Sequence, residues 1–263
     1  MNKIELGSGW RARIGYTMTH TNTTIERETW AVASRLQGIS FHIYRLRIDE
    51  VTLAGQQGMI DHVEEGVRIL AGMRPDLIVY GPSIGSMQHG LGWDKQLTEK
   101  MEQFSRNPYY TLKDPSTKYK EGNVIPCYTT GTAILDALQK LEAHSISLSS
   151  PHIIEFDRVA KLFLEANGIQ VKLGKCLNIN DNTEIGNLPT NVAYKVVKQG
   201  DQPGTDAHVT VCANFPTFDV IDMLERDLGK PVIPCNLAMI WGSLRKLGIR
   251  DRLDGFGCLL REN

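Results

Sequence analysis

The chain has 263 residues, 41% of them hydrophobic and 22% charged, with a formal net charge of −1. Such a composition belongs to a globular protein with a sizeable core. The near-zero charge removes the electrostatic case for nucleic acid or a membrane surface as partner, and no apolar run nears the ~18–20 residues that span a bilayer. The N-terminal MNKIELGSGWRAR lacks the apolar centre of a signal peptide, so the cytoplasm is the expected location. The five cysteines (127, 176, 212, 235 and 258) are odd in number, widely spaced and free of CxxC pairs. They predict neither a disulfide framework nor a metal site, and buried inert thiols are the default reading.

Strands and helices alternate along the chain. RIGYTM (13–18) reads as a buried strand, and FHIYRLRI (41–48) alternates with period two. Residues 61–73 carry Val63, Val67, Ile69 and Leu70 near helical spacing, followed by short apolar strands at 77–80 and 124–127. The second half repeats this order. A strand at 145–150 precedes a helix at 156–168 closed by Gly168, a strand from 169 to 174, and a strand at 208–212. Helix 217–228 then places Phe218, Ile221, Leu224 and Leu228 on one face, with Gly229 just past its end, before the strand 231–235. The polar stretch 105–123 has no counterpart in the second half and reads equally as a lid or as a solvated insertion.

Two stretches resemble each other internally. Ile-Pro-Cys occurs at 125–127 and at 233–235, each time followed by a helical pattern ending Leu-x-Lys-Leu. The alternation predicts an α/β fold of two pseudo-symmetric, Rossmann-like halves with parallel sheets and an active site in the cleft between them. The expected boundaries are 1–129 plus 238–263 for one half and 130–237 for the other. Loops after residues 18, 80, 150 and 212 should line the cleft.

Cys212 is the main candidate for chemistry, because it ends a predicted strand shortly before a helix, where loop amides would favour a thiolate or a bound carboxylate. Its counterpart slot in the first half holds Gly81 or Pro82, depending on the alignment, with Ser83 beside them as a hydroxyl donor. In the turn 19–24, Asn22 offers an amide to a carboxylate, although the residues alone favour a polar turn with a helix cap. His152, after the strand that opens the second half, suits carboxylate binding or acid–base work, although a lone histidine there is more often a surface or capping residue. The other histidines singled out (42, 62, 89, 144 and 208) read as background, and Gly7-Ser-Gly9 precedes a strand, so it is no nucleotide fingerprint.

The segments RIGYTMTHTNTTIERE (13–28), DLIVYGPSIGSMQHGLGW (76–93), IPCYTTGTAILDAL (125–138) and VCANFPTFDVIDMLERDLGKPVIPCNLAMIWGSLRKLGI (211–249) together resemble the aspartate/glutamate racemase superfamily, in its maleate isomerase and arylmalonate decarboxylase branch. The resemblance implies a cofactor-free enzyme acting on a small carboxylic acid, with no metal, no nucleic acid partner and a homo-oligomeric state left open. It implies that Cys212 is the second-half catalytic cysteine. The segment LNINDNTEIG (177–186) implies that Asn182 reaches the substrate. Where racemases and isomerases carry a first-half cysteine, this chain has Gly81-Pro82, and Cys127 lies on another strand. A single thiol resembles the decarboxylase, in which loop donors hold an enediolate and one cysteine protonates it. By position those donors would be Ser83, Ala213 and Asn214. The leading expectation is a lyase that decarboxylates a malonate-like or dicarboxylic acid. An isomerase or racemase relative and a non-catalytic carboxylate binder are the alternatives.

Overall fold

A computed structural model describes residues 7–110 and 122–263 of the chain. Most of the proposed lid, residues 111–121, therefore lies outside the described residues. The first sheet contains β1 (Ala12–Thr19), β2 (Ile39–Leu46), β3 (Leu77–Tyr80) and β4 (Cys127–Thr129), all parallel, in the order β2-β1-β3-β4. The second contains β5 (Ser145–His152), β6 (Gln170–Ile179), β7 (Ala207–Thr210) and β8 (Val232–Pro234), parallel, in the matching order β6-β5-β7-β8. The two halves thus share one topology, as the internal repeat predicts.

The reason lies in how the strands are covered. In β3 the run Leu-Ile-Val-Tyr is buried at all four positions, as a parallel strand flanked by helices on both faces requires. On the first sheet those helices include α1 (Ile25–Ala33), α3 (Val63–Ala71) and α4 (Trp93–Ser105), with α2 (Leu53–Asp61) packed against α3 and α5 (Thr130–Lys140) running on from β4. On the second they include α6 (Ile154–Ala166), α7 (Asn182–Gly186), α8 (Thr190–Gly200) and α9 (Ile221–Leu228), and the chain ends with α10 (Cys235–Lys246) and α11 (Gly257–Glu262). Helix α3 buries Val63, Val67 and Leu70 while Glu64, Glu65 and Arg68 face outward. Helix α10 is buried at every position from Cys235 to Leu244 and packs on α5. A helix apolar all round belongs in an interior. One continuous core accordingly runs from Ile14 and Val79 of the first sheet through Ile240 of α10 to Leu148 and Val209 of the second. No helix among the described residues is long and apolar enough to cross a membrane.

Several boundaries differ from the sequence reading, and two of the differences matter. Strand β5 continues through Pro151 and His152, because its pairing with β6 runs on to Ile179 across two register shifts. Such irregularities bend a strand end and re-aim its side chains. Strand β7 stops at Thr210, which leaves Cys212 in the turn beyond it. The predicted strand 124–127 starts only at Cys127, and Cys235 opens a helix rather than closing a strand. Helix 217–228 begins with a 3-10 turn at Phe218–Val220. Helices α2, α7, α8 and α11 have no counterpart among the expected elements.

Candidate active site

Beyond the carboxyl ends of β1, β3, β5 and β7 lies a cavity of about 50 Å³, by a measure in which one water needs roughly 10–15 Å³. It therefore suits a ligand of a few heavy atoms. Asn22, Pro82, Ser83, His152, Asn182, Cys212, Ala213 and Asn214 all line it. Gly81 does not. A Cβ there would sit 2.2 Å from Met18 Cε and 2.9 Å from the Thr17 carbonyl, so this residue packs against β1. Strand register resolves the ambiguity of the first-half slot. Thr17 pairs with Tyr80 as Ser149 pairs with Thr210, so the residues two beyond each strand end, Pro82 and Cys212, are counterparts.

Cys212 has φ of 141°, a region that β-carbon-bearing residues rarely occupy and that costs about 1–3 kcal/mol. The turn is held there from several sides. Phe215 N donates to Cys212 O at 3.1 Å, Asn236 Nδ2 to Ala213 O at 2.9 Å, and Thr24 Oγ1 to Asn214 O at 2.9 Å. The Asn214 side chain joins the halves: its Oδ1 accepts from Thr23 N at 2.8 Å, and its Nδ2 donates to Asn182 O at 2.6 Å. Glu28 of α1, buried in the core, supports the same turn. Its carboxylate accepts from Thr217 N, Phe218 N and, at 2.6 Å, Asn236 Nδ2.

Burial pushes the Cys212 thiol up to about 12, opposed by the amides of Asn214 and Phe215 and reinforced by Asp157. The amides act in the direction expected from the sequence, but desolvation outweighs them, and the sulfur is a neutral thiol rather than a thiolate. Among the described residues no Lys or Arg lines the cavity, so the donors they offer an anion there are neutral. Asn22 Oδ1 caps α1 by accepting from Thr24 N at 3.0 Å and Ile25 N at 2.9 Å, which leaves its Nδ2 without a protein partner among the described residues. The helix cap and the carboxylate donor are thus two ends of one amide. Ser83 Oγ and the backbone N–H groups of Ser83, Ala213 and Asn214 likewise bond no protein oxygen among the described residues. Asn182 Nδ2 donates to Thr21 Oγ1 at 2.7 Å, which fixes its side chain at the rim.

The sequence reading missed part of the lining. Ile48 and Val51, from the segment after β2, and Ile185 of α7 form an apolar wall. Gln56 of α2 also lines the cavity, and its Oε1 is buried without a partner among the described residues. Asp157 stands behind His152 with its Oδ1 3.4 Å from His152 Nδ1. The available signal was a carboxylate on the buried face of α6, among Phe156, Ala160, Phe163 and Leu164.

Known proteins agree with this geometry. The profile of the arylmalonate decarboxylase family matches residues 31–260. The maleate isomerase of Nocardia farcinica is 27% identical over 255 residues, covering 95% of this chain and 96% of that protein. The arylmalonate decarboxylase of Bordetella bronchiseptica is 24% identical over 147 residues, or 55% of this chain and 61% of that one. The structure of a cysteine-to-serine mutant of Nocardia farcinica maleate cis-trans isomerase, with a covalently bound succinylcysteine intermediate, superposes with a TM-score of 0.84 at 26% identity, covering 95% of this chain and 98% of that one. Matching sheets, near-complete coverage and a cavity between two like halves lead to one assignment: this chain belongs to the arylmalonate decarboxylase family, within the aspartate/glutamate racemase superfamily.

Proposed function

We propose that the protein is a cofactor-independent decarboxylase of a small malonate-like or dicarboxylic acid, with Cys212 as the proton donor. The observation that carries this reading is a single neutral thiol in the cavity, facing a slot filled by Pro82. Asn22 Nδ2 and Ser83 Oγ hold the retained carboxylate. Ile48, Val51 and Ile185 surround the departing one, where a desolvated anion is disfavoured and neutral carbon dioxide is not. Breaking the C–C bond leaves an enediolate, whose charge is met by the N–H groups of Ser83, Ala213 and Asn214. Fixed donors of this kind contribute roughly 3–4 kcal/mol each to a transition state. Cys212 then delivers its proton to one face of the carbon. A thiol with a pKa of about 12 suits proton donation to a basic carbanion and does not suit nucleophilic addition.

A maleate isomerase-like reaction is the second reading, favoured by the full-length similarity to that group. It would require Cys212 to add to a double bond. Incubation with disubstituted malonates and with maleate separates the two. Carbon dioxide release that disappears in Cys212→Ala supports decarboxylation. Fumarate formation, with a mass adduct on Cys212, would replace it by the isomerase reading. The free thiols of all five cysteines support a reducing, cytoplasmic location. Cell fractionation tests that location, and light scattering tests a homo-oligomeric state.

A further inference from the structure

The proposed reaction consumes one proton per turnover and leaves Cys212 as a thiolate in a cavity that disfavours charge. Something must protonate it again. His152 shares the cavity with Cys212, is 4% exposed, and has an Nε2 without any partner among the described residues. Its Nδ1 lies 3.0 Å from Ser150 Oγ and 3.4 Å from Asp157 Oδ1. Asp157 is 2% exposed, and its Oδ1 has no hydrogen-bond partner among the described residues. An unpartnered carboxyl oxygen of Asp157 lies beside one ring nitrogen of His152, the other ring nitrogen is also unpartnered, and His152 itself lines the reaction cavity. Left idle, both would carry an uncompensated desolvation penalty.

We propose that His152 and Asp157 form a relay that returns a proton to Cys212 after each turnover, with His152 as the catalytic residue and Asp157 acting through it. The proposal rests on the decarboxylase reading. The atoms balance as follows. Cys212 gives its proton to the enediolate carbon and becomes a thiolate. His152 Nε2–H passes its proton to that sulfur while Nδ1 takes the proton of the Asp157 carboxyl group. The ring ends neutral in the other tautomer, and Asp157 ends as a carboxylate. Solvent then supplies one proton to His152 Nε2 from the cavity while Nδ1 returns its proton to Asp157, which restores both the carboxyl group and the first tautomer. The net change is a dicarboxylate and one proton going to a monocarboxylate and carbon dioxide.

The electrostatics agree with the direction of transfer. Burial raises Asp157 to about 7, so it holds a proton at and below neutral pH. Burial also lowers His152 to about 3, so the ring passes a proton on rather than storing it. The charged or titratable groups around Asp157 are His152 on β5, Cys176 on β6 and Cys212 beyond β7, with Ser150 adding a hydroxyl. Cys176 Sγ donates to the His152 carbonyl at 2.8 Å, and the Ser150 hydroxyl and the Cys176 thiol also act on the Asp157 carboxyl group by hydrogen bonding, against the effect of burial.

Two measurements on the full-length protein test the relay. In rapid-mixing assays with a turned-over malonate, Asp157→Asn, whose site lies outside the cavity lining, should release one carbon dioxide per site at the wild-type rate. Steady-state turnover should then fall about 10²-fold. Wild-type turnover should decline as pH rises through about 7, and that decline should vanish in Asp157→Asn. A variant without a burst, or with the wild-type pH profile, overturns the relay. The second measurement needs no substrate. Ring ¹⁵N spectra of His152 in the wild type should show a neutral ring whose tautomer changes near pH 7, and Asp157→Asn should abolish the change. A wild-type spectrum invariant with pH overturns the relay. If no malonate is turned over while the tautomer change is present, it is the decarboxylase reading that has failed.

Discussion

Glu28 offers a quantitative test of how the reactive turn is held. Its carboxylate is buried and accepts from Thr217 N at 3.0 Å, Phe218 N at 3.2 Å and Asn236 Nδ2 at 2.6 Å. Burial raises it from the ordinary 4.5 to about 7, against those three donors. A group raised in the folded state stabilises the fold below its unfolded pKa, and that stability is lost as pH rises through the folded value. At about 1.4 kcal/mol for each pH unit between the two values, the loss attributable to Glu28 between pH 5 and 8 is about 2–3 kcal/mol. Glu28→Gln removes the titration. It also turns an amide N–H₂ toward Asn236 Nδ2, or forces that side chain to flip and release the Ala213 carbonyl, at a cost of about 1–3 kcal/mol. Urea unfolding at pH 5, 6, 7 and 8 should therefore show the wild-type advantage over the variant shrinking by about 2–3 kcal/mol across the series. The variant should also lose activity, because the turn that carries Cys212 is released. A difference that stays constant with pH within about 0.5 kcal/mol would refute the reasoning.

Three further outcomes follow from the geometry. Pro82→Cys, placing a thiol opposite Cys212, should let the α-proton of the product exchange on both faces, seen as racemisation in deuterated buffer. Gly81→Cys should instead destabilise the protein through contact with Met18 and the Thr17 carbonyl, and racemisation by this second variant alone would show that the slot was misassigned. Because Cys212 has φ of 141°, Cys212→Gly should unfold at a higher temperature than Cys212→Ala by the equivalent of about 1 kcal/mol, although both are inactive; equal stabilities would argue against strain at this residue. Alkylation of Cys212, followed by peptide mass spectrometry, should be slow at pH 7 and rise about tenfold per pH unit to pH 9, whereas rapid reaction at neutral pH would contradict a neutral thiol.

The alternation of strands and helices was legible from local periodicity, because each strand and helix face is set by residues a few positions apart. The repeat of Ile-Pro-Cys and the strand-end position of Cys212 were legible in the same way, and together they located the cleft. Other features depend on contacts between distant residues. The Glu28–Asn236 hydrogen bond joins side chains 208 residues apart. Asp157 reads in sequence as an ordinary charge in the first turn of a helix, and only packing against β5 brings it behind His152. His152 itself faces the cavity because β5 continues through irregular pairing with β6, which no local pattern encodes. The sequence by itself therefore determined most of the polar residues around the site, and that the first-half slot matching Cys212 does not hold a cysteine. The tertiary structure decided that Pro82 rather than Gly81 fills that slot, and that Cys212 keeps its proton. Register sets the first, and the second is set by desolvation, which depends on everything packed around the sulfur.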